Sequence, residues 1–70
     1  MGTGTLKIWN VDRGFGFIKD DAGGRDVFVH ATTLRADRID PETIKLGIRL
    51  AYEVEETPET QTRAANIWIP

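Results

Sequence analysis

Four ring-bearing side chains at two-residue spacing carry the most chemical information in this 70-residue chain. Phe15 and Phe17 stand in Arg13-Gly14-Phe15-Gly16-Phe17-Ile18, and Phe28 and His30 in Val27-Phe28-Val29-His30. Successive side chains of an extended strand point to opposite faces. Phe15 and Phe17 therefore share one side with Ile18 on the other, and Phe28 and His30 share one side with Val27 and Val29 behind them. A sheet that buries its aliphatic side leaves all four rings toward water. Clustered exposed apolar surface marks a binding site, and unpaired nucleobases are the flat partners that suit it. The chemistry on offer is stacking.

Other chemistries find little support. His30 is the single histidine, and the chain has no serine and no cysteine. A general base needs a reacting proton within reach. Asp26 shares the strand and parity of His30, but the pair has no nucleophile to activate. A metal site needs more ligands gathered nearby. Gly14-x-Gly16 lacks the third glycine and the following helix of a phosphate loop. The chain reads as a binding module: not an enzyme, with no cofactor, no metal site and no small-molecule substrate. Lys7, Arg13, Lys19 and Arg25 lie on or beside the ring-bearing strands, where they suit phosphate contacts. Arg13 has the best position and Lys7 the next. Gly14 and Gly16 put no side chain beside the rings, which lets a ligand backbone come close.

The elements that must position these groups are short. Thr5–Arg13 is rich in β-formers and ends in the turn signal Asp12-Arg13-Gly14; Phe15–Lys19 is a second strand. Asp20-Asp21-Ala22-Gly23-Gly24 reads as a hairpin connection, since paired glycines supply positive φ. Asp26–His30 is a third strand. Residues 31–45 lose the period of two, with a single helical turn expected at Asp40-Pro41-Glu42. Alternation returns with Leu46, Ile48, Leu50, Tyr52 and Val54 on one face against Arg49, Glu53 and Glu55. Thr57-Pro58-Glu59-Thr60 breaks it. A last strand alternates Ala65, Ile67 and Ile69 against Asn66 and Trp68. Five short strands suggest an all-β closed barrel, because closure removes exposed sheet edges. Leu6, Ile18, Val27, Val29, Leu50, Val54 and Ile67 are the expected core. By plain alternation from Leu6, Trp9 points outward unless a bulge turns it. Trp9 and Trp68 each read as an extra platform or as a cover for the barrel end.

Seventy residues imply one domain spanning 1–70. No apolar run reaches membrane-span length, and no signal-peptide pattern opens the chain, so a cytoplasmic monomer without membrane contact is expected. The net charge of −2 argues against a polyanionic partner, but its distribution does not. Residues 1–38 carry six basic groups (Lys7, Arg13, Lys19, Arg25, Arg35, Arg38) against five acidic ones. Residues 39–70 carry three against six, with Glu53, Glu55, Glu56 and Glu59 forming an acidic lobe. That lobe reads as a solvated turn, or as a face that repels a polyanion from the wrong side.

Lys7-Ile8-Trp9-Asn10, Arg13-Gly14-Phe15-Gly16-Phe17-Ile18, Asp26-Val27-Phe28-Val29-His30 and Ala64-Ala65-Asn66-Ile67, in this order and spacing, resemble bacterial cold-shock proteins. The central two segments are similar to that family's ribonucleoprotein-type motifs. The resemblance implies a small five-stranded antiparallel OB-fold barrel that binds single-stranded RNA and DNA, acts as an RNA chaperone in the stress response and carries no cofactor. It implies stacking roles for Phe15, Phe17, Phe28 and His30, basic contacts from Lys7 and Arg13, and neighbouring contacts from Ile8 and Trp9. The chain departs from the pattern at three places. Ile8 replaces the exposed stacking tryptophan, Ala31 replaces the aromatic after the histidine, and residues 31–45 lack the aromatic of the long loop. Weakened binding is the implied consequence. The alternative reading is an OB-fold interaction module, alone or as part of a longer protein, that has given up most nucleic-acid binding.

Overall fold

In the computed structural model, which describes residues 2–24, 26–56 and 62–70, the inward aliphatic faces of five strands close around one core. The strands are β1 (Gly2–Asn10), β2 (Phe15–Asp20), β3 (Val27–His30), β4 (Arg49–Glu56) and β5 (Thr62–Trp68), with one helix, α1 (Ala31–Ala36), between β3 and β4. Their order around the barrel is β1-β2-β3-β5-β4. This is the expected small all-β OB-type architecture. One seam, β3 to β5, is parallel, and its strands pair at Phe28 and Arg63. Parity requires this, because an odd number of strands cannot alternate direction all the way round a closed ring.

Leu6, Ile18, Val27, Val29, Leu50 and Ile67 are buried as expected. Val54 is not; it is 47% exposed. It has the parity of the buried Leu50 and Tyr52 but lies toward the end of β4, beyond the core cluster. The partner strand β5 carries a bulge. Glu53 pairs with Asn66 but Val54 pairs with Ala64, so Ala65 is the extra residue of β5. A bulge shifts the parity of everything beyond it. Ala64 and Ile67 are therefore the buried residues of β5, while Ala65 faces out; Ile69 is exposed because it lies past the end of the strand. The alternation at Leu46 and Ile48 also stops short of a strand. Leu46 is exposed beside Gly47, whose φ of 88° turns the chain, and β4 begins only at Arg49. The 47–48 segment still extends the barrel: Gly47 N–H donates to Leu6 O at 2.8 Å, and Leu6 N–H to Ile48 O at 3.0 Å.

An unexpected helix, Ala31–Ala36, precedes the expected turn. His30 is its N-cap, Leu34 is fully buried, and Asp37 closes it, with Arg38 at φ 63° and Ile39 N–H returning to Leu34 O at 2.8 Å. The Asp37 carboxylate then accepts the N–H of Ile67 at 2.7 Å, which ties the helix end to β5. The single turn expected at Asp40-Pro41-Glu42 is present: Asp40 Oδ1 accepts the Glu42 N–H at 2.8 Å, and Asp40 O accepts the Ile44 N–H at 3.2 Å. The Asp20–Gly24 connection does use left-handed glycines, Gly23 and Gly24, both at φ 84°. The break expected at Thr57-Pro58-Glu59-Thr60 lies outside the described residues.

A polar latch joins this hairpin to β4. Two guanidinium nitrogens of Arg49 donate to the two oxygens of Asp21, one at 2.6 Å. The buried Tyr52 hydroxyl donates to Asp20. Burial, then the bond to Asp20, pushes the Tyr52 phenol well above its usual range. The Arg49 bond, then the Thr3 hydroxyl, holds the Asp21 carboxyl down at about 2. A carboxyl whose folded pKa lies below its unfolded value contributes stability that is present above about pH 4 and is lost as pH falls toward about 2. The pair is exposed, so the effect is small. In urea titrations between pH 5 and pH 2, the parent is expected to lose stability more steeply on acidification than Asp21→Asn. Parallel curves would show that the latch contributes nothing.

Candidate functional site

The two ring-bearing strands are paired so that Phe15 faces His30 and Phe17 faces Phe28. Directly opposed residues of an antiparallel pair project to the same side. All four rings consequently lie on one outer face, half-buried, with Ile18, Val27 and Val29 buried behind them. Phe15 stacks against Phe28 with ring centroids 5.8 Å apart and planes 24° from parallel. Phe17 meets Phe28 edge-on at 5.7 Å and Phe15 edge-on at 6.3 Å. His30 lies 6.5 Å from Phe28. These are favourable aromatic geometries, so the rings hold one another in place and form a continuous shelf.

His30 has a second task. Its Nδ1 accepts the Thr32 N–H at 3.2 Å and lies 2.9 Å from Thr32 Oγ1. An acceptor at Nδ1 places the neutral ring's proton on Nε2. The side chain is thus oriented by the first turn of α1. The sequence offers no simple signal for this, because histidine is not among the preferred N-cap residues.

The first strand adds the shelf's other border through an irregularity. Leu6 pairs with Ile18 but Ile8 pairs with Phe17, which makes Lys7 the extra residue of a bulge. Beyond it the parity flips. Ile8 stands beside Phe17 on the outer face, 47% exposed. Trp9 turns inward, packs against the core, and donates from Nε1 to the Pro41 carbonyl at 2.8 Å. Trp9 is therefore the one expected site residue that the fold does not bring to the shelf. Gly16, opposite Trp9, is buried. A Cβ there would sit 2.2 Å from Ile8 O and 2.6 Å from Trp9 Cε3. Its missing side chain thus makes room for β1, and not for a ligand beside the rings as expected.

The basic groups occupy the rim. Lys7 projects from the bulge and its Nζ pairs with Asp26 Oδ2 at 3.0 Å. Arg13 lies exposed in the β1–β2 turn, where its N–H donates to Asn10 Oδ1 at 3.1 Å. Gly14 completes that turn at φ 72°. Lys19 is exposed toward the far end of β2; Arg25 lies outside the described residues. Ala31, in the place of an expected ring, is only 5% exposed and offers the surface nothing. On the acidic lobe, Glu55 pairs with Arg63 at 3.2 Å; Glu59 is outside the described residues. Trp68 stays partly exposed at the end of β5, across from Ala51. Among the described residues there is no group of three or more His, Cys, Asp or Glu able to hold a metal, and no helix is long and apolar enough to cross a membrane.

Comparison with known proteins completes the picture. The sequence model of the 'Cold-shock' DNA-binding domain matches residues 2–70. The chain is 42% identical over 57 residues to the cold shock-like protein CspA of Shewanella violacea, covering 81% of this chain and 79% of that protein. It is 40% identical over 65 residues to the cold shock-like protein CspG of the same organism, covering 93% and 89%. The cold shock-like protein CspD of Escherichia coli K12 is 37% identical over 59 residues, covering 84% and 77%.

Proposed function

The chain belongs to the cold-shock domain family, and from that premise we propose that it binds single-stranded RNA and DNA by stacking unpaired bases on Phe15, Phe17, Phe28 and His30, acting as an RNA chaperone of low sequence specificity. One observation carries this reading: four mutually packed rings lie on one outer face across two adjacent strands. Every base has a π-face, so a platform of this kind tolerates any sequence. Lys7 and Arg13 flank the platform and supply phosphate contacts that weaken as salt rises. In free protein, Lys7 must exchange Asp26 for a phosphate, a modest demand for an exposed pair. The family match and the closed barrel both support residues 1–70 working as one unit.

Bases held on the rings cannot pair with one another. Binding to the unpaired state then opens weak hairpins by mass action, with no nucleotide hydrolysis. A fluorophore–quencher hairpin reports this directly. The parent protein is expected to open it in a concentration-dependent way. Phe17→Ala and Phe28→Ala are each expected to need roughly tenfold more protein, in keeping with about 1–3 kcal/mol per stacked base. Equal opening by parent and both variants would remove the stacking mechanism.

The departures from the family pattern favour an affinity below the family's norm. Each absent platform corresponds to about 1–3 kcal/mol. Ile8 is the informative position, since it lies exposed directly beside Phe17. Ile8→Trp is expected to tighten binding of an oligo-dT heptamer by about 5-fold to 100-fold. Unchanged affinity would mean that the strand does not pass over β1.

A further inference from the structure

At the His30 end of the shelf, three elements line an open cleft of about 260 Å³. Asp12 and Arg13 enter from the β1–β2 turn, Arg35 from α1, and Pro41 and Glu42 from the following turn, with Trp9 also in its lining. Ligand pockets run from roughly 300 to 1,000 Å³, so this one suits a single base and not a dinucleotide. It is built in advance. The Trp9 Nε1 bond to the Pro41 carbonyl fixes one wall, Pro41 is buried, and Asp40 Oδ1 anchors the Glu42 backbone. The Asn10 side chain anchors the backbone at Arg13. His30 lines both this cleft and the shelf, so a strand stacked on the rings has its next nucleotide here.

The charges are mixed and unpaired with one another. Arg13 and Arg35 bring guanidinium donors; Asp12 and Glu42 bring carboxylate acceptors; among the described residues no ion pair joins any two of the four. Two carboxylates oppose a bare phosphate. They suit a base that needs both kinds of partner. Guanine carries two acceptors, O6 and N7, which arginine reads in a bidentate fashion. On its other edge it presents two adjacent donors, N1–H and N2–H₂, which match a carboxylate. Adenine and cytosine each offer one amino group, and uracil and thymine one imino N–H, so none fills both partners as completely.

We propose that this cleft is a guanine-reading subsite, which gives an otherwise sequence-tolerant shelf one preferred base at the position just beyond His30. The proposal rests on the single-strand-binding reading above. Arg35 and Glu42 are its specificity residues, with Asp12 and Arg13 assisting.

The test is a fluorescence titration with an oligo-dT heptamer and with heptamers carrying one dG walked along the strand. One position near an end is expected to prefer dG over dT by about tenfold, the value of a good bidentate contact. That ratio is expected to fall close to one in Arg35→Gln and in the double variant Asp12→Asn, Glu42→Gln. A uniform response to dG at every position, or a preference that survives in both variants, overturns the proposal. Phe17→Ala separates the two readings: if it leaves oligo-dT affinity unchanged, the shelf fails, and the pocket is judged by mononucleotides alone. There, dGMP is expected to shift the Trp9 indole N–H resonance while dTMP and inorganic phosphate do not. Equal shifts with phosphate would make the cleft an anion site and overturn guanine reading.

Discussion

The segregation of side chains across β2 and β3 is the constraint on which everything else depends. Ile18, Val27 and Val29 are buried almost completely, and each buried aliphatic stabilises the fold by about 1.5–3 kcal/mol. Strand geometry gives no freedom to bury these residues without turning Phe15, Phe17, Phe28 and His30 outward. The energy that closes the barrel is thus the same energy that displays the rings. A one-residue slip of β3 against β2 would expose Val27 and Val29 and hide Phe28 and His30, so the register that stabilises the core also preserves the surface.

Two bulges adjust this simple alternation, and each serves the core first. The extra residue at Lys7 turns Trp9 inward, where it covers the barrel and ties the 40–44 turn to β1. The same flip delivers Ile8 to the edge of the shelf and sets Lys7 at the rim. The extra residue at Ala65 brings both Ala64 and Ile67 inward from β5. Bulges raise local twist, which a five-stranded sheet needs in order to close on itself. The ring-bearing face is in this sense a by-product of how a short chain fills a small barrel. His30 joins the two, ending the ring-bearing strand and capping the helix whose Leu34 seals the interior.

The fold class and the shared face of the four rings were readable from sequence because β2 and β3 are regular, with unbroken period-two alternation. The positions of Trp9 and Ala64 were not, because a bulge is one unpaired residue and leaves no mark in a hydrophobic pattern. The helix Ala31–Ala36 was missed for a related reason. Six residues show too little of a 3.6-residue period, its two threonines favour strands, and its cap is a histidine. Gly16 was legible as special but for the wrong cause, since its constraint comes from Trp9 across the strand pair. The cleft beside His30 gathers residues from three separate segments, and such convergence becomes visible only once the barrel has closed.

The most direct test of the central claim is a ¹H–¹³C NMR titration of the aromatic region with an oligo-dT heptamer. If the rings form an open shelf for bases, the ring protons of Phe15, Phe17, Phe28 and His30 shift together and saturate at one concentration, while Leu46 and Val54 methyl signals stay still. If those four rings remain unmoved while the chain binds the strand elsewhere, or if the shifts gather instead around Leu46 or around Val54, the account is contradicted.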